Sequence, residues 1–155
     1  MSVLEEGSTL PPFSIETDGG GQIVAEDLLG SPAVIYFYPK DNTPGCTKEA
    51  IAFTEKAEEF AKLDVRVIGI SPDSPAKHDK FIAKYELNLT LGADPEHEVA
   101  EAFGVWVEKS MYGRKYMGVE RSTFLVDATG KIAKVWPKVK VAGHAEEVLE
   151  AASQL

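Results

Sequence analysis

"AVIYFYP", residues 33–39, runs straight into "KDNTPGCTKEA", residues 40–50, and this junction decides how the rest of the chain is read. The first string is continuously apolar and rich in β-branched and aromatic side chains, which suits a strand covered on both faces. The second reads as a helix start. Thr43 is a good N-cap and Pro44 a good first helical residue. Ala50, Phe53, Ala57 and Phe60 then recur at helical spacing, predicting one amphipathic helix over residues 46–62. A buried strand that turns directly into a helix is half of a βαβ unit.

The pattern repeats downstream. "VRVIGIS", 65–71, reads as the next buried strand. Ser74 and Pro75 open a helix that runs to about Glu86, with Phe81, Ile82 and Tyr85 inward. "LTLGAD" is a short strand and "PEHEVAEAF" a short helix. Upstream, "PPFSIET" and "GQIV" flank Gly19-Gly20-Gly21 as a hairpin. Downstream, "STFLVD" and "KIAKVWP" form a second hairpin about Thr129-Gly130, and residues 144–155 close the chain as a helix. Alternating βαβ units imply parallel strands with helices on both faces, and the final hairpin makes the sheet mixed. The expected fold is α/β and thioredoxin-like, with an N-terminal β-hairpin, as one domain over residues 1–155.

A length of 155 residues with 44% hydrophobic side chains suffices for one buried core. A net charge of −9 argues against nucleic acid, whose phosphates need a basic patch. No run approaches the ~20 apolar residues that span a bilayer, and the first residues lack a signal-peptide pattern. A lone cysteine makes no internal disulfide. The expectation is a cytoplasmic protein with no membrane and no nucleic-acid partner. His78, His97 and His144 are isolated and make no metal-ligand spacing. "DGGGQ" sits in a hairpin turn rather than a phosphate loop. No metal or cofactor is expected.

Cys46 is the only cysteine. Free cysteine is among the most buried residue types, so a packed core residue is one reading. Its position favours another. It is the third helical residue, where a capping box normally holds an acid, and the free first-turn N–H groups and helix dipole favour an anion there. Thiolate is the anionic and nucleophilic form. A Cys-x-x-Cys oxidoreductase is nearly excluded because residue 49 is Glu. A Cys-His hydrolase lacks a histidine in catalytic context. A peroxide-reducing thiolate remains, needing hydrogen-bond donors and a cation. Arg121 borders an apolar strand that should neighbour the Cys46 strand, and so could reach the sulfur or could make a surface ion pair. Glu49, one turn past Cys46, is open between a solvated helix position and a role at the site, and no catalysis is assigned to it.

Pro39-x-x-x-Thr43-x-x-Cys46 resembles the active-site signature of the peroxiredoxins. "FYPKDNTPGCTKEA", "VIGISPDSP" and "EKSMYGRKYMGVERSTFLVD" are similar to the bacterioferritin-comigratory, or Q-type, branch, and the likeness covers nearly the whole chain. The resemblance implies that Cys46 is the peroxidatic cysteine, that Thr43 orients the peroxide, that Pro39 shields the thiolate from water and that Arg121 is the activating cation. Many Q-type members carry a second cysteine five residues after the first, but residue 51 here is Ile. The expected activity is a one-cysteine thiol peroxidase acting on hydrogen peroxide and alkyl hydroperoxides. An external thiol (thioredoxin, glutaredoxin or glutathione) would recycle it, and the chain would be a monomer or weak homodimer. The alternative is a non-enzymatic peroxide sensor or redox-dependent holdase.

Overall fold

Strand β3, Ala33–Phe37, is buried at every position, and its alternation divides the core in two. Ala33, Ile35 and Phe37 face one apolar cluster, whereas Val34, Tyr36 and the following Tyr38 face the other. A side-chain period of two with both sets apolar is what a central strand requires. Each large side chain so buried contributes about 1.5–3 kcal/mol. The computed structural model describes residues 3–155.

β3 pairs in parallel with β4, Arg66–Ser71, which pairs in parallel with β5, Thr90–Ala93. The N-terminal hairpin of β1, Ser14–Thr17, and β2, Gln22–Val24, adds antiparallel to β5. On the other side of β3 lies β8, Ser122–Val126, antiparallel to it, and then β9, Ile132–Trp136, antiparallel to β8. The seven-stranded order is β2-β1-β5-β4-β3-β8-β9, a mixed sheet as expected. The connection from β8 to β9 turns at Gly130, whose φ of 85° is a left-handed conformation that glycine adopts without strain.

Two expectations are corrected. The helix starts at Pro44, as the Thr43-Pro44 reading has it, but the stretch expected as one helix over 46–62 is two, α1 over Pro44–Glu55 and α2 over Ala57–Lys62. Lys56 leaves helical geometry at ψ 5°, and its N–H bonds back to Phe53 and Thr54. The break lets Phe60 turn into the core beside Phe53, ring centroids 6.0 Å apart. The second correction is an added hairpin. β6, Trp106–Met111, and β7, Arg114–Val119, form a separate two-stranded ribbon. Its turn is Tyr112-Gly113, with φ of 51° and 79°, the positive pair that a two-residue hairpin loop demands. The strands are largely exposed, and charged residues interrupt their apolar ones, so no continuous apolar run marks them. The "YG" pair between them was the available signal.

The remaining helices are α3, Pro75–Tyr85, α4, Glu98–Ala102, and α5, His144–Ser153. Ser74 caps α3 through its hydroxyl, which accepts from the Lys77 N–H at 3.3 Å.

Candidate active site

The carboxyl end of β3 and the start of β8 lie side by side, because antiparallel pairing sets Phe37 opposite Ser122. The chain leaving β3 enters α1, and the residue before Ser122 is Arg121. Topology therefore brings Cys46 and Arg121 together across 75 residues of sequence. The Arg121 Nη2 donates to Cys46 Sγ at 3.3 Å. Its Nη1 donates to Glu49 Oε1 at 2.7 Å. The guanidinium bridges sulfur and carboxylate in the forked geometry that arginine alone supplies.

Cys46 is 2% exposed and packs in the cluster with Tyr36, Tyr38, Ala50 and Phe53. The two readings of Cys46 are therefore not alternatives. It is a core residue on one side and a partner of a cation on the other. Thr43 has the extended backbone of an N-cap, but its side chain does not cap α1. Its Oγ1 donates instead to the Lys40 carbonyl at 2.8 Å. Pro44 has no N–H, so the Gly45 and Cys46 N–H groups of the first turn are left without a side-chain cap. Pro39 lies two residues past the end of β3 and is exposed. Gly45 passes so close to Arg121 that a Cβ there would stand 3.1 Å from Nη2.

Glu49, left open between a solvated helix position and the site, belongs to the site. It is 1% exposed, and its Oε2 is buried without a partner. The signal lay in the spacing: Cys46, Glu49, Ala50 and Phe53 fall at i, i+3, i+4 and i+7, one helix face, and all four are buried. A carboxylate on an inward stripe needs a cation, and Arg121 is that cation. Burial pushes the Glu49 carboxyl up to about 7, with the Arg121 guanidinium pulling it down against that trend. Burial works against the charge on Arg121, but Glu49 and Cys46 outweigh it and hold the guanidinium above its ordinary range.

His78 and His144 are structural. His78 is fully buried, with Nδ1 2.6 Å from Asp41 Oδ2 and Nε2 2.9 Å from the Gly92 carbonyl. Asp41 also accepts from Tyr38 Oη at 2.6 Å, and its N–H donates to Asp73 at 2.8 Å. This network pins the loop that leads to Thr43. His144 bonds Thr123 at 2.8 Å among Phe53 and Trp136, and burial lowers its imidazole to about 4.

The AhpC/TSA family profile matches residues 7–135. The chain belongs to the AhpC/TSA family. It is 48% identical over 146 residues to a putative peroxiredoxin Bcp of Coxiella burnetii, covering 94% of this chain and 97% of that one. It is likewise 48% identical over 147 residues to the peroxiredoxin Bcp of Bacillus subtilis, covering 95% and 94%. Among solved structures, peroxiredoxin Q of Xanthomonas campestris superposes with a TM-score of 0.89 at 42% identity, covering 99% and 97%. The fold is thioredoxin-like, and the activity of this peroxiredoxin is that of a thiol peroxidase with a single cysteine. A sensor or holdase without turnover is not favoured.

Proposed function

We propose that Cys46 is the peroxidatic sulfur, activated by Arg121, and that an external thiol completes each cycle. The observation that carries the roles is the guanidinium held at 3.3 Å from Sγ by its second contact with Glu49. The thiolate attacks one peroxide oxygen in line with the O–O bond. That bond breaks, water or an alcohol leaves with a proton, and sulfur is oxidised to sulfenic acid. Charge moves from sulfur to the departing oxygen. Arg121 and the first-turn N–H groups stabilise it throughout, an oxyanion-hole logic. Thr43 already donates to Lys40, so its oxygen lone pairs accept from the peroxide hydroxyl. Pro39 screens the sulfur from bulk water. Glu49 is a positioning residue that fixes the fork of Arg121.

With one cysteine, the sulfenic acid waits for a thiol from outside. A thiol-reducing compartment, the cytoplasm, supplies it, and a monomer or weak dimer suffices. Cys46→Ser should abolish turnover while the protein stays folded, because serine is close in size. Intact mass after one equivalent of peroxide should show a dimedone-trappable sulfenic acid and no intramolecular disulfide. Excess peroxide should drive Cys46 to sulfinic acid, since no internal thiol competes. A stable covalent dimer that a reductant turns over efficiently would overturn the external-thiol scheme.

A further inference from the structure

Acidic residues outnumber basic ones 25 to 16 in this chain, yet four lysines converge on one cleft of about 250 Å³. Lys77, Lys80 and Lys84 stand at i, i+3 and i+7 along one face of α3, and Lys40 faces them from the loop between β3 and α1. Phe81 supplies an apolar lining between them. Like charges at i, i+3 and i+4 repel by a few tenths of a kcal/mol per pair, and an anion relieves that repulsion.

Two carboxylates, Asp41 and Asp73, also line the cleft, so four lysines face two acids and the cluster stays net positive. Asp41 is buried and taken up by Tyr38 and His78. Asp73 is buried, accepts from the Asp41 N–H and the Ser71 hydroxyl, and meets Lys77 only at 3.9 Å. Among the described residues Lys40, Lys80 and Lys84 make no ion pair. Lys84 instead donates to Asn42 Oδ1 at 3.3 Å.

The cleft shares its wall with the reactive segment. Lys40 and Asn42 belong to the loop that delivers Cys46, and the Lys40 carbonyl holds the Thr43 hydroxyl. Cys46 lies four positions past Asn42, at most about 14 Å of extended chain. A tripeptide spans about 10 Å. The cleft is near the lower limit of small-molecule sites, which start at about 300 Å³, so it suits a small anion rather than a broad protein face.

We propose that this cleft binds the carboxylates of a low-molecular-weight thiol of the glutathione type and thereby directs it to oxidised Cys46. The proposal rests on the external-thiol reading above and names the class of thiol. The first thiol attacks the sulfenic sulfur. An S–S bond forms, the S–O bond breaks, and the hydroxyl leaves as water with the thiol proton. A second thiol attacks the sulfur of the bound thiol. It releases the small-molecule disulfide and returns Cys46 as thiolate, so two thiols are oxidised per peroxide reduced.

The test starts from protein oxidised with one equivalent of peroxide, its sulfenic acid verified by the dimedone adduct of a separate aliquot. The rates of its reduction by glutathione and by the uncharged 2-mercaptoethanol are then compared, each corrected for thiolate fraction. In the wild type the glutathione rate should exceed the neutral one, and rising salt should erode only the glutathione rate, as the Debye length shortens to about 8 Å at physiological ionic strength. Replacing all three helix lysines (Lys77→Ala, Lys80→Ala, Lys84→Ala) should lower the ratio roughly tenfold, the low end of electrostatic focusing. The matching triple arginine variant should keep it. An unchanged ratio in the alanine variant, or glutathione no faster than the neutral thiol in the wild type, overturns the proposal. So does a thioredoxin-type protein as the sole effective reductant. Absence of a dimedone adduct before any thiol is added is a separate result, and it removes the peroxidase reading itself.

Discussion

Arg121 touches both partners of the site, so its removal should be felt twice. Arg121→Ala should slow peroxide reduction by roughly 10²–10³, the loss typical of a deleted oxyanion donor. It should also slow alkylation of Cys46 by iodoacetamide at neutral pH, because a cation that favours thiolate is gone. Unchanged alkylation would take Arg121 out of the site. Thr43→Val should slow peroxide reduction by a comparable factor without that alkylation effect. Gly45→Ala is a subtler probe. Its new Cβ would press on Nη2 at 3.1 Å, and Glu49 at 2.7 Å restrains the guanidinium from moving aside. Peroxide reduction should fall several-fold while the thermal midpoint barely moves. A wild-type rate in Gly45→Ala would mean that the fork tolerates displacement.

Helix α1 sets the fate of the sulfur after oxidation. Ile51 is half-buried and packs against the cluster that contains Cys46. Residues five apart on a helix are about 8–9 Å apart at Cα, beyond the ~7 Å that a disulfide tolerates. Ile51→Cys should therefore form a 46–51 disulfide with peroxide only when the start of α1 unwinds. Mass spectrometry would find the bond, and amide exchange would find lost protection over residues 44–51. A disulfide formed with that protection intact would contradict the helical geometry. The β6–β7 hairpin feeds the site differently. It returns the chain to the sheet at Val119 and Glu120, whose N–H bonds the Val105 carbonyl at 2.8 Å, and so delivers Arg121 to the edge of β8.

Two buried groups pull the stability of the whole molecule in opposite directions with pH. Glu49 is raised from 4.5 to about 7, so the folded state binds more protons than the unfolded one between those values. Its contribution is complete below about 4.5 and is lost as pH rises through about 7. His144 is lowered from 6.5 to about 4, so its contribution is complete above about 6.5 and is lost as pH falls toward 4. Between these limits the slopes oppose each other. Glu49→Gln removes only the first. Its thermal midpoint should rise with pH more steeply than that of the wild type between about 4.5 and 6.5. Parallel curves for the two proteins would show that Glu49 does not titrate across this window.

Local pattern determined much of this protein. The apolar run of β3, the Thr43-Pro44 helix start, the Ser74-Pro75 cap and the placement of Cys46 in the first turn of α1 are all functions of neighbouring residues, and each stood where the spacing put it. Tertiary structure decided the rest. The break at Lys56 interrupts a periodicity that runs unbroken from Phe53 to Phe60, so no spacing marks it. The β6–β7 ribbon buries little, so its strands carry no continuous apolar run. Glu49 stayed open between solvent and site because a carboxylate on a helix is normally solvated. Only the antiparallel pairing of β3 with β8, which carries Arg121 across the sheet to it, makes burying that charge affordable. Sequence spacing reports which residues share a face. What stands opposite that face is set by how the elements pack.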